Sequence, residues 1–170
     1  SGTHMYSPWH YIPEVKTIEA LTLEQTIGPC HVVSMEGKLT REILEHTVPE
    51  DCERLLIHGE IELTSEGAGY LAGRNLQLLG VEGMTVGSEE TTDQVHRTLL
   101  ETGMVILENL DMSKPAPGRY VLVAAPLRMK GMDGSPVRAV LMEGENLQLT
   151  PKCESAAESG SGRKLVLFDL

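Results

Sequence analysis

Aromatic residues are scarce in this chain of 170 residues, which has one Trp, one Phe and four Tyr. A core with so few rings has to be filled by Leu, Val, Ile and Met. Cysteine is thin as well. Cys30, Cys52 and Cys153 are odd in number and widely spaced, and no two form a C-x-x-C pair. This argues against a disulfide framework and for a reducing compartment, so the expected location is the cytoplasm, with each thiol acting as a small buried hydrophobe. No apolar run approaches the ~18 residues that span a bilayer, and no stretch reads as a secretory signal. Basic residues are outnumbered, 14 Lys and Arg against 25 Asp and Glu, for a net charge of −11. The few that exist are scattered. A nucleic-acid surface needs them clustered, and the acidity disfavours an anionic membrane, so neither partner is expected. The G-x-S-x-G, H-E-x-x-H and P-loop patterns are all missing, which removes the serine-hydrolase, zincin and nucleotide readings.

What is present fits one domain able to bury a core without staples. Residues 1–150 read as that domain, and 151–170 as a Ser/Gly-rich linker followed by a terminal strand, "KLVLFDL". Strands are expected at 28–35, 54–59, 76–83, 104–110, 120–127, 135–142 and 164–170. Thr40 should cap a helix over 41–47 with Ile43, Leu44 and Thr47 on one side. A second helix should start at Thr64 or Ser65 and end near Asn75. The clearest helix begins at Thr91, where Thr91 and Gln94 are spaced as a capping box, Val95, Leu99 and Leu100 form the apolar side, and Gly103 suits the C′ position. Strands alternating with short helices, then strands dominating, predict a mixed α/β domain with a sheet or barrel centre.

Two constellations carry candidate chemistry. In the opening "SGTHMYSPWHY", His4 and His10 flank a turn at Pro8, which can aim both side chains at one pocket. His-Met is also what a cloning site leaves behind, so His4 reads either as a site residue or as foreign sequence. Trp9, the only tryptophan, reads as a pocket wall or as a core anchor. The second constellation is His96 and Glu108. His96 lies on the amphipathic helix, and Glu108 ends the apolar run from Met104 to Leu107. A carboxylate there is costly unless it is paired or metal-bound, and imidazole with carboxylate suits zinc or manganese. The alternative has His96 exposed and Glu108 paired with an Arg. His31, His46 and His58 show no ligand-like spacing.

These pieces together resemble the cyclase-like metal-dependent hydrolase family, which includes bacterial kynurenine formamidase, isatin hydrolase and polyketide cyclases. Its signature is His-x-Gly-Thr-His-x-Asp-x-Pro-x-His. Gly2, Thr3, His4, Pro8 and His10 fall on that pattern, and the interval from His96 to Glu108 matches the family's downstream metal-binding His and Glu. "LLGVEG" resembles the strand before the family's substrate loop, and "PAPGRYVLVAAPLRMKGMDGSPVRAVLME" its C-terminal strand pair. The signature's first His would precede Ser1, and its metal-bridging Asp is Tyr6 here. The family's segment before the signature is not in this sequence, so truncation or a second chain supplying it is expected.

The resemblance implies the swivelling β/β/α fold, a barrel-like mixed sheet with peripheral helices. It implies a small-molecule substrate and a metal-dependent hydrolase of a small amide, formamide or cyclic ester. The implied roles are one divalent ion, zinc or manganese, on His4, His96 and Glu108, and His10 as general base and then acid. Tyr6 would donate to the oxyanion, with Pro8 and Trp9 at the substrate pocket. A neutral phenol bridges two ions poorly, so a two-metal site is not expected. A metal-free cyclase or lyase using His10 and Glu108, and a binding protein that kept the fold without the chemistry, are the alternatives. The implied assembly is a homo-oligomer, with "KLVLFDL" as an exchanged edge strand.

Overall fold

The computed structural model describes residues 2–12, 16–143 and 166–170. Four parallel strands form the centre of a nine-stranded sheet: β2 (Ile27–Ser34), β4 (Arg54–His58), β6 (Leu78–Val81) and β7 (Val105–Glu108). Antiparallel strands extend both sides. Beyond β7 lie β1 (His4–Tyr6) and β9 (Gly134–Pro136). Beyond β2 lie β8 (Gly118–Val123), β10 (Val140–Glu143) and β11 (Val166–Asp169). A separate parallel pair joins β3 (Gly37–Leu39) to β5 (Ile61–Leu63). Helices α2 (Arg41–Thr47), α3 (Ser65–Ala72) and α4 (Thr92–Leu100) lie in the crossovers between the parallel strands, and α1 (Leu23–Thr26) precedes β2.

Alternation along the strands explains why both faces are apolar. Leu55, Ile57, Leu79, Val81 and Ile106 pack with Leu44, Leu71, Val95 and Leu99 of the helices. The intervening Leu56, Leu78, Val105 and Leu107 pack with Met5, Val32, Leu122 and Leu141 on the other face. A strand buried on both sides has to read as a continuous apolar run, as "RLLIH" and "VILE" do.

The expected strand over 135–142 is two strands. Residues 134–136 pair with β1 at one end of the sheet, and 140–143 pair with β8 and β11 near the other. Only Val137, Arg138 and Ala139 join them, a span of at most about 14 Å. Seven strand intervals in a flat sheet would cover roughly 34 Å. The sheet therefore curls until its ends nearly meet, which is the barrel-like mixed sheet expected from the sequence.

Other expectations shift in detail. Thr40 and Thr64 do cap α2 and α3, accepting from the N–H of Ile43 and Gly67. Ile43 is exposed, however, and only Leu44 of α2 is buried. Helix α3 stops at Ala72 rather than near Asn75. The Thr91–Gln94 capping box does not form. The Thr91 hydroxyl takes the Ser88 N–H at 3.2 Å, and Gln94 accepts from Ser65 on α3. A capping box forms instead at Thr22 and Gln25. Gly103 does adopt the left-handed conformation, with φ of 86°. The terminal strand pairs with β10 of its own chain. Cys30 and Cys52 are free and buried, and burial pushes their thiols up to about 12 and about 11. Cys153 and the linker over 151–163 lie outside the described residues.

One glycine decides how closely a helix approaches the core. A Cβ at Gly67 in α3 would stand 2.4 Å from the Leu39 carbonyl oxygen and 2.9 Å from Leu63. Alanine would gain about 1 kcal/mol of helix propensity. Backbone cannot move aside as a side chain can, so overpacking dominates. Gly67→Ala is expected to destabilise the protein by about 1–3 kcal/mol, read from the urea midpoint. A stabilised variant would show that α3 sits less tightly than this.

Candidate active site

Strand pairing builds the first part of the site. In the antiparallel register of β1 on β7, His4 lies opposite Glu108, Met5 opposite Leu107 and Tyr6 opposite Ile106. Directly opposed residues share a face. Met5 enters the barrel core, so His4 and Tyr6 stand on the helix side together with Glu108. Helix α4 supplies the next group. His96 lies on its buried stripe with Val95, Leu99 and Leu100 and is only 3% exposed. Strand β7 ends at Glu108, itself 1% exposed, and Asn109 follows at φ of 61°. The Asn109 carbonyl accepts from Thr3, and its N–H donates to the Gly83 carbonyl. The end of β7 is thereby tied to β1 and to the loop after β6.

The proton positions are informative. His4 Nδ1 lies 3.0 Å from the Gly2 carbonyl oxygen, and His96 Nδ1 lies 2.8 Å from the Thr92 carbonyl oxygen. A carbonyl only accepts, so both Nδ1 atoms carry hydrogen. The Nε2 atoms then face the two oxygens of one carboxylate. His96 Nε2 is 3.0 Å from Glu108 Oε1, and His4 Nε2 is 3.3 Å from Oε2. A bare lone pair against a carboxylate oxygen is repulsive. A hydrogen or a metal ion lying between nitrogen and oxygen removes that repulsion.

Histidines that ligate metals commonly donate their second nitrogen in this way. Two ligand atoms 2.0–2.1 Å from a tetrahedral ion stand roughly 3.3 Å apart, close to the separations here. Among the described residues, however, no three His, Cys, Asp or Glu side chains are grouped as a metal cage. Two imidazole nitrogens and a carboxylate are nonetheless the donor types that zinc and manganese take.

His10 reaches the site from another direction. It ends a 3-10 turn over Pro8–His10, with Pro8 at the start, where its missing N–H costs nothing. Its Nδ1 is 2.5 Å from Asp133 Oδ2. Its ring stacks on Tyr6 at 3.9 Å between centroids and meets the edge of Tyr11 at 4.8 Å. The hydrogen bond from His10 is the main reason the Asp133 carboxyl lies below its usual range. Tyr6 is shifted the other way, upwards, first by burial and then by the charges of Glu108 and Asp133. Tyr11 packs over His96 at 5.1 Å and donates to Asp93 at 3.1 Å. Burial first, then that hydrogen bond, push its phenol up to about 12.

A cavity of about 300 Å³ gathers these groups, with Tyr6, His10, Tyr11, His96 and Glu108 in its wall. A neighbouring cavity of about 370 Å³ is lined by His4 and shares Tyr6 and Met84 with the first. The sequence constellations at His4–His10 and His96–Glu108 are thus one place. Pro8 is buried in its turn, Trp9 is 36% exposed, and neither lines these two cavities. Sequence reasoning missed Tyr11 and Asp133. Tyr11 had a weak signal as the neighbour of His10, whereas Asp133 is 123 residues away from His10 and had none.

Comparison with known proteins gives a consistent result. The Cyclase family model matches residues 1–88. Kynurenine formamidase of Bacillus cereus is 31% identical over 156 residues, covering 83% of this chain and 75% of that protein. A solved structure described as a potential metal-dependent hydrolase with cyclase activity matches with a TM-score of 0.77 at 26% identity, over 83% of this chain and 77% of that one. Isatin hydrolase A from Labrenzia aggregata, bound to benzyl benzoate, shares the fold with a TM-score of 0.70 at 24% identity, over 81% of this chain and 71% of that one. With the family model spanning half of its residues and a relative of this identity matched over three quarters of its length, the chain belongs to the Cyclase family, as a relative of kynurenine formamidase.

Proposed function

We propose that this protein is an arylformamidase-like hydrolase that opens a small amide, formamide or cyclic amide or ester with the help of one divalent ion, zinc or manganese. The observation that carries the reading is the pair of imidazoles whose Nδ1 atoms are tied to carbonyls and whose Nε2 atoms flank buried Glu108, beside a cavity reached by His10. The kinship with kynurenine formamidase supports it.

His4, His96 and Glu108 would hold the ion, which supplies an acidified water and a polarised substrate carbonyl. The residues of the chain do the rest. His10, with hydrogen on Nδ1, has Nε2 as its proton acceptor; it takes the proton of the attacking water and returns it to the leaving nitrogen or oxygen. Tyr6 stays a neutral phenol, because its pKa is raised, and donates to the oxygen on which negative charge develops. Pro8 fixes the turn that carries His10, and Trp9 on the same turn stands outside the walls of the two cavities. No helix among the described residues is long and apolar enough to cross a membrane. Buried free thiols suit the reducing cytoplasm.

Formanilide is a suitable probe. Protein supplied with zinc or manganese is expected to release aniline and formate. Elemental analysis after dialysis is expected to find at most one tightly held ion per chain, because Tyr6 offers no carboxylate to bridge a second. Two stoichiometric ions would show that Tyr6 has been misjudged. Equal activity in metal-free protein would remove the ion from the reading. The proposal includes a homo-oligomer, or a partner chain, meeting the sheet at its edge strands β9 and β11. Light scattering that finds a monomer at high concentration would remove that part.

A further inference from the structure

The short contact between His10 and Asp133 has a setting that explains more than a surface ion pair. Asp133 immediately precedes β9, whose Gly134 pairs with Tyr6 of β1. Its carbonyl oxygen accepts both from the Ser7 N–H at 2.9 Å and from the Ser7 hydroxyl at 3.1 Å. Ser7 in turn leads directly into the turn that ends at His10, and its carbonyl accepts the His10 N–H at 3.1 Å. The carboxylate and the imidazole are therefore positioned by one continuous set of main-chain bonds. Gly134 permits the close approach, since a Cβ there would stand 3.0 Å from the Met5 carbonyl and 3.3 Å from the Tyr6 ring. Tyr6 on the face of the His10 ring and Tyr11 across it restrict the ring on two further sides.

We propose that Asp133 is the positioning residue for His10: it holds the ring in the Nδ1–H tautomer and so presents the Nε2 lone pair to the cavity that Glu108 and His96 line. An ionised carboxylate can only accept, so it fixes the hydrogen on Nδ1. The lowered pKa of Asp133 agrees with this, as its first cause is the His10 hydrogen bond. An asparagine can present N–H instead of oxygen, which favours the opposite tautomer and turns Nε2 into a donor. The sequence offers a reason for the arrangement. His10 sits on a short turn with a half-exposed ring, and without a partner it would sample both tautomers and several rotamers.

This inference rests on the hydrolase reading for its kinetic consequence, but not for its structural one. Two measurements keep them apart. The first is long-range ¹H–¹⁵N NMR of the His10 ring in the whole protein, assigned with His10→Gln. Nδ1–H with unprotonated Nε2 is expected in the unaltered protein, and an Nε2–H tautomer or a mixture in Asp133→Asn. The second is formanilide turnover with the metal-supplied protein. Asp133→Asn is expected to lower kcat by about 10²-fold with KM within about threefold, and Asp133→Glu to recover part of the loss. A protein without formanilide activity counts against the hydrolase reading, while the NMR result still decides the role of Asp133. An Nε2–H tautomer in the unaltered protein overturns the proposal even if Asp133→Asn fails to fold. An unchanged tautomer and a kcat within twofold in Asp133→Asn overturn it as well.

Discussion

His10→Asn is expected to lower the kcat for formanilide by about 10³-fold while leaving KM within about threefold. The asparagine amide has roughly the reach of Nδ1 and can still meet Asp133, so the turn over Pro8–His10 should survive. What it lacks is a second nitrogen able to take a proton and give it back. The substrate would still bind, because Tyr6, Tyr11 and Met84 remain in the wall and asparagine keeps the turn in place. The barrier rises because no nearby group accepts the proton as the carbon–oxygen bond forms. His10 is partly exposed, and asparagine keeps its side-chain hydrogen bond to Asp133 while losing the ring contacts with Tyr6 and Tyr11, so the melting temperature should fall only slightly. Stopped assays of aniline release, run beside a thermal melt, separate the two effects. A variant within tenfold of the unaltered rate would remove His10 from the mechanism and leave proton transfer to bulk water.

Glu108→Ala is expected to act on both the ion and the fold. The carboxylate meets the Nε2 atoms of both His4 and His96, and it is almost completely buried. Its removal leaves two imidazole Nε2 atoms facing a small void. Breaking a buried, hydrogen-bonded charged cluster by deleting one partner costs about 3–5 kcal/mol. For a domain of this size that corresponds to a fall in melting temperature of roughly 6–20 °C. Retained zinc or manganese should drop from about one ion per chain towards zero, and formanilide turnover should fall by at least about 10³-fold, since the activated water is lost with the ion. Glu108→Gln separates the contributions. It keeps the volume and one acceptor oxygen, so much of the stability should return, while its amide N–H meets one Nε2 donor-to-lone-pair and competes with any cation there. Elemental analysis, a melt and the turnover assay on the same preparations decide the matter. Stoichiometric metal retained by Glu108→Ala would mean that the ion lies elsewhere.

Local features of the sequence were enough to place the core elements and half of the site. The apolar runs at 54–58 and 105–108 are strands buried on both faces, and a fully buried strand has no polar alternation to confuse with anything else. His96 shares the stripe of Val95, Leu99 and Leu100, so its burial follows from helix periodicity alone. Glu108 stands out because a carboxylate at the end of such a run needs a partner. Turn and cap signals held where a single side chain meets its own helix, as at Thr40 and Thr64. They failed at Thr91, where Ser88 offered a competing hydrogen-bond partner just upstream of the helix.

Only the tertiary structure decided what depends on register between distant strands. The run over 135–142 looks like one strand because its composition is uniform. It divides because the curled sheet brings both of its ends to the same short stretch of chain. The convergence of His4 on Glu108 comes from one antiparallel register, and a slip of a single residue would turn His4 into the barrel interior and Met5 towards the helices. The partnership of His10 with Asp133 is of the same kind. It arises from pairing across 123 residues of sequence, and an interaction at that separation leaves no periodicity in the chain, because nothing local constrains it. Composition, period and spacing determined which residues are buried and which elements they build. The folded sheet determined which of the buried polar groups face one another, since that choice is made by strand pairing and not by the neighbours of each residue in sequence.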